Sequence, residues 1–153
     1  MGYELQDELE VTLGFVEHVN LSISPRPLNE WESRVIERLF STRFAGWGLW
    51  RAQLPYIRVV RTCSDCPSSE FSVDPGAPRI LEPTGRPAVG VAPASIEGVD
   101  EDGTEYEVLL HVRAGLITEL DVYRTDSRGF VVWPAAESGH VHDISERVRM
   151  APS

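Results

Sequence analysis

The stretch from Glu105 to Arg124, EYEVLLHVRAGLITELDVYR, constrains the fold of this chain more than any other, because two strand-forming runs meet there at a single glycine. Alternating Val, Leu, Ile and Tyr suit a pleated, half-buried surface, and Gly115 supplies the left-handed residue that a tight reversal needs. The pattern predicts the central hairpin of a sheet. A two-residue turn at Ala114-Gly115 would oppose Val112 to Ile117 and Val108 to Asp121, mixing apolar and acidic side chains on each face. A three-residue loop, Arg113-Ala114-Gly115, instead pairs even positions with even ones and puts Glu107 opposite Asp121, with His111 diagonal to Glu119. One face then carries Tyr106, Val108, Leu110, Val112, Leu116, Thr118, Leu120 and Val122, which predicts the core side. The reverse face carries Glu105, Glu107, Leu109, His111, Ile117, Glu119, Asp121 and Tyr123. A slip of one residue would exchange the faces, so burial locks the register.

Around this hairpin the chain reads as an α+β protein: a mainly antiparallel sheet, one main helix packed on its apolar face, and an added β segment at the N-terminus. Its 153 residues are one domain's worth, and folding at that size hides roughly 70% of the unfolded surface. In residues 1–25 the apolar Leu9, Val11, Leu13, Phe15, Val19, Leu21 and Ile23 all fall on odd positions, a strand period, with a break near Glu17-His18. Pro25-Arg26-Pro27 then ends the ladder. Asn29 is placed to cap a helix over about 29–41, with Glu30 and Glu32 in its first turn and Trp31, Val35, Ile36, Leu39 and Phe40 along one face. LWRAQL before Pro55 predicts a short helix.

Ile57–Thr62 reads as a strand resumed by Phe71–Val73. The proline- and glycine-rich residues 74–87 read as a long irregular loop of the kind that is either functional or disordered. Val89–Val99, interrupted by Pro93, and the turn Asp100-Glu101-Asp102-Gly103 lead into the hairpin as a meander. Phe130–Trp133 predicts a short last strand, and residues 138–153 a polar tail, frayed or laid over the surface, with one helical turn near 143–149.

This order resembles a family of small bacterial proteins with no assigned activity: a helix, LWRAQL, a strand ending in CSDCPS, a proline-rich loop, then DEDGTEYEVLLHVRAGLITELDVYR. The likeness runs from about Asn29 to Trp133, and the hairpin pattern EVLLHVxxGxIxELxVY is its most specific part. The resemblance implies a fold and no mechanism, and the first 25 or so residues lie outside it.

Composition narrows the partners. A net charge of −10 disfavours nucleic acid, whose phosphates need clustered cations. All 14 cationic side chains are arginine, so no lysine is present to act as a base or form a Schiff base. No run approaches the roughly 20 apolar residues of a membrane span, and the start, MGYELQDELE, is acidic where a secretory signal is basic. Cytoplasmic location and reduced thiols at the two cysteines are the expectation.

Three constellations are candidates for chemistry. On the hairpin's reverse face, Glu105, Glu107, His111, Glu119, Asp121 and Tyr123 offer carboxylates beside a histidine, the material of a cation site, of an acid/base pair or of a solvated sheet face. Cys63-x-x-Cys66 has the spacing of half a zinc site, which His140-x-His142 would complete; without those partners it is a pair of small residues at a turn. Trp47, Trp50 and Tyr56 could line a small-ligand pocket or simply cover the core. No Gly-x-Ser-x-Gly elbow or phosphate-binding glycine loop is present.

The expected role is a non-catalytic, protein-binding or regulatory one, in which an acidic sheet face meets a basic protein, as immunity-type proteins meet basic toxins, with no cofactor. The alternative is a metal-dependent enzyme or a small-ligand-binding protein, with zinc as the candidate ion. The sequence assigns no oligomeric state.

Overall fold

The computed structural model of the protein describes residues 20–125 and 133–150. Eight strands make one antiparallel sheet: β1 Asn20–Arg26, β2 Ile57–Cys63, β3 Ser69–Val73, β4 Gly90–Val91, β5 Ala94–Val99, β6 Glu105–Arg113, β7 Leu116–Arg124 and β8 His140–Asp143. Their spatial order is β1-β2-β3-β7-β6-β5-β8, with β4 also paired to β6. The helices are α1 Glu30–Phe40, α2 Trp47–Ala52 and α3 Ser145–Met150, and a 3-10 turn spans Leu54–Tyr56. This is the expected α+β class. The residues before Asn20 and residues 130–132 of the predicted strand Phe130–Trp133 lie outside the described residues.

The hairpin is central, but it turns more tightly than expected. Ala114 and Gly115 both have positive φ, 51° and 75°, and Arg113 pairs directly with Leu116, so the loop has two residues rather than three. Such mirror-image turns match the twist of the flanking strands. The even-with-even register is restored by a bulge in β7: Val112 faces Ile117, the register shifts, and His111 then faces Glu119, Leu110 faces Leu120 and Val108 faces Val122. The bulge reassigns one core position. Ile117 is buried, whereas Leu116 and Thr118, expected inside, are only half-buried. Tyr106, Val108, Leu110, Val112, Leu120 and Val122 point into the core as the pattern predicts.

Gly115 also anchors residues 74–89, which are ordered rather than loose. Its N–H donates to Ala88, its carbonyl accepts from Ile80, and an added Cβ would lie 2.9 Å from the Ile80 carbonyl oxygen.

Helix α1 starts where the sequence places it. The Asn29 side chain accepts from the Glu32 N–H, and Glu32 accepts from the Asn29 N–H, a reciprocal cap. Val35, Ile36, Leu39 and Phe40 share one apolar cluster with the inward face of the sheet. Glu32 is itself buried, and its carboxylate takes Arg26 through two contacts of 2.8 and 3.1 Å and the Ser69 hydroxyl at 2.6 Å, tying β1, α1 and β3 together. Strand β1 runs through Pro25 instead of ending before it; an edge strand with a register shift tolerates the missing N–H. Within the C-terminal segment, residues 140–143 are not frayed, since β8 pairs with β5 from Ala94–Asp143 to Glu97–His140.

Strands β3 and β7 share only two residue pairs, Ser69–Leu120 and Glu70–Glu119. Side chains continue the ladder on either side. The Ser68 hydroxyl accepts from the Val122 N–H at 2.9 Å and donates to its carbonyl at 3.1 Å. At the other end, fully buried Gln53 accepts from the Ile117 N–H at 3.0 Å and donates to the Pro78 and Gly115 carbonyls at 2.7 Å each.

Two outcomes follow. Gln53→Ala leaves the Ile117 N–H and the Pro78 carbonyl without these partners in the interior, and chemical denaturation should show a loss of about 3 kcal/mol. Glu32 provides a pH test. Burial alone would raise its carboxyl, but Arg26, Ser69 and the Asn29 N–H outweigh that and hold it below the ordinary 4.5. Its contribution is therefore complete above that value and lost as pH falls through the lowered one. Glu32→Gln should flatten the acid limb of a stability–pH curve and cost about 2 kcal/mol at neutral pH, discounted for the solvent at Arg26.

Candidate functional site

The reverse face of the sheet divides into a covered part and an open part. The tighter turn and the bulge each move the acid pairing by one residue from the expected one: Glu107 faces Tyr123, not Asp121, and His111 faces Glu119 directly rather than diagonally. Glu107 is not on a solvated face. It is 4% exposed, receives a hydrogen bond from the Tyr123 hydroxyl, and is met by Arg147 of α3 at 3.1 and 3.2 Å. Burial, followed by the Glu107 carboxylate, pushes the Tyr123 phenol well above its ordinary value, so Tyr123 is a hydrogen-bond donor at neutral pH. Glu107, Tyr123 and Arg147 thus form a structural unit that seats the C-terminal helix.

The open part lies at the β3–β7 seam. His111 from β6, Glu119 and Thr118 from β7, and Glu70 from β3 line a cleft of about 490 Å³ together with Arg61 and Arg113, flanked by Val60, Phe71 and Val89. The cleft exists because β3 and β7 part company after Glu70–Glu119, where the bulge diverts β7. Glu70 and Glu119 face each other across the seam, an opposition of like charges that costs energy unless a cation intervenes. Glu70 has one in Arg61 at 3.0 Å and also accepts from the Asn20 amide at 2.9 Å. Asp121 has His111, whose Nε2 lies 3.4 Å away.

Glu119 has no hydrogen-bond or ion-pair partner among the described residues. Burial is the main cause raising its carboxyl above the ordinary value; His111 lowers it, while Asp121 and Glu70 add to the rise. His111 is raised in turn, chiefly by its hydrogen bond to Asp121, against burial and with help from the charge of Glu119. Glu105, the remaining acid of the predicted face, is exposed at the start of β6.

The cysteine expectation is overturned. Cys63 and Cys66 are joined as a disulfide, with Cα atoms 5.3 Å apart across the β2–β3 turn, rather than standing as reduced thiols. Nor do His140 and His142 complete a zinc site with them. They lie on β8, five strand steps from β2, about 24 Å at the usual ~4.8 Å spacing. Among the described residues no three His, Cys, Asp or Glu side chains are grouped to hold a metal ion as they stand.

The aromatic residues do not share a pocket. Trp50 is buried edge-on to Phe44, with centroids 5.8 Å apart, and belongs to the core. Trp47 packs half-buried against the core with the Arg43 and Arg51 guanidinium groups 5.5 and 6.0 Å from its ring, and Tyr56 sits exposed in a separate hollow with Pro55, Arg58, Ser72 and Asp74.

Sequence reasoning missed Glu70 and Arg147. The alternation in SEFSV carried a signal for Glu70, since Ser69, Phe71 and Val73 point inward, but not which strand would lie beside it. Arg147 carried none, because its role depends on where the last helix docks.

The His111 assignment has a direct check. Its imidazole should titrate above 6.5 in a proton NMR series, and Asp121→Asn should move the midpoint down. A raised folded value also means that the histidine's contribution to stability is complete below 6.5 and fades as pH rises through the shifted midpoint.

Comparison with known proteins adds no further identification: no family model, no curated protein and no solved structure matches this chain.

Proposed function

We propose that this is a non-catalytic protein-binding domain, which uses Glu119 in the open part of its acidic sheet face to take a cationic side chain of a basic partner. The observation that carries this reading is Glu119: a half-buried carboxylate set between Glu70 on β3 and His111 on β6, with Asp121 two residues along, and with no hydrogen bond or ion pair to any described residue. Glu32 and Glu107 differ in this respect, being matched by Arg26 and Arg147. An arginine or lysine entering the cleft would relieve the repulsion between Glu70 and Glu119, while Val60, Phe71 and Val89 would meet the aliphatic stem. The net charge of −10 would steer such a partner over longer range, with an ionic-strength signature. Immunity-type proteins that neutralise basic toxins act by this physics, and that is the role in which the reading places this chain.

The test is capture of interacting proteins on the immobilised chain at low salt, followed by affinity measurement with each purified partner. Partners should be basic and weaken as salt rises. Glu119→Arg should weaken them at least roughly tenfold, since it sets like charges together, whereas Glu101→Arg, outside the cleft, should change little. Association indifferent to both salt and Glu119→Arg would exclude the reading.

A further inference from the structure

The histidines of β8 acquire different neighbours from those the sequence suggested. His140 lies directly opposite Glu97 on β5, and His142 opposite Ser95, which puts both imidazoles and the Glu97 carboxylate on one face of the β5–β8 pair. All three line the same surface hollow of about 300 Å³, with Glu105 beside them. His142 Nε2 stands 3.7 Å from Glu97 Oε2. Two donors each about 2.0–2.1 Å from a tetrahedral zinc ion are separated by roughly 3.3 Å. The pair is therefore within a few tenths of an ångström of the spacing that an ion between them would impose.

We propose that His140, His142 and Glu97 form a zinc-class metal site that clips the edge strand β8 to β5. As they stand the three side chains do not converge on one point. Convergence needs side-chain rotation only. The His142 and Glu97 side chains are about half exposed, and the backbone register already holds all three on adjoining positions of one face. Residues i and i+2 of a strand point the same way, so a His-x-His on one strand with an acid directly across from it presents three donors without strain.

Two imidazoles and one carboxylate select borderline ions such as zinc over magnesium or calcium, which prefer all-oxygen sites. Arg147, the cation over the neighbouring Glu107, is already engaged by both carboxylate oxygens and leaves Glu97 available. Water or Glu105 would fill the fourth position. The consequence is mechanical. An ion here would fasten β8, and with it the helix α3 that carries Arg147 onto Glu107.

The experiment is calorimetric titration of the full, oxidised chain with zinc, paired with thermal melts. Expected are one zinc per chain, a rise in Tm with zinc, and no response to magnesium or calcium. His140→Ala and Glu97→Gln should each weaken binding by no less than the roughly tenfold that loss of even an outer-shell partner costs, and should abolish the rise. Because the mutated side chains are on the surface, melts without metal should match the wild type, which separates loss of a ligand from loss of the fold. Absence of zinc binding, binding unchanged in both variants, or binding lost only when Cys63 and Cys66 are replaced by serine would each overturn the proposal. Its outcome is independent of the cleft at Glu119.

Discussion

The sheet depends on a seam of two residue pairs. Strands β1, β2 and β3 meet β7, β6, β5 and β8 only through Ser69–Leu120 and Glu70–Glu119. Backbone donors beyond so short a contact would face the interior unpaired, which costs more than most single hydrogen bonds gain. Ser68 and Gln53 resolve this by taking the next ladder positions with their side chains, at Val122 and Ile117. Gln53 also fastens the proline-rich segment to the hairpin turn, so one fully buried amide links α2, the long loop and the central strands. On the core side Ser69 reaches Glu32, which brings α1 and Arg26 to the same junction.

The cleft is a by-product of that junction. A continuous ladder between β3 and β7 would leave no opening; a bulge that turns Ile117 inward pulls β7 away, and the gap exposes Glu119 and Glu70 at its edge. Burial acts on Glu32, Glu107 and Glu119 with different results. Glu32 is held ionised by an arginine, a hydroxyl and a backbone N–H. Glu107 is enclosed by a phenol and an arginine brought in by the last helix. Glu119 is half-buried among other acids without such a partner, and its carboxyl is raised rather than lowered. That contrast sets Glu119 apart from Glu32 and Glu107.

Local chemistry in the sequence determined the elements. Asn29 and Glu32 announced the start of α1, and the 3.6-residue spacing of Val35, Leu39 and their neighbours announced its buried face. Period-two alternation announced β6 and β7, and burial of Tyr106 through Val122 left one sense of register open to them. These signals are legible because each depends on residues a few positions apart. The tertiary structure decided what depends on distant parts of the chain. It chose a two-residue turn with a compensating bulge over a three-residue loop, because the gain from docking residues 79–88 on Gly115 is invisible in the hairpin itself. It closed Cys63 onto Cys66, separated them from His140 and His142 by the width of the sheet, and brought Arg147 over Glu107 and Glu70 against Glu119. Those pairings follow from strand order, and strand order is a property of the whole packed sheet that no local window of sequence contains.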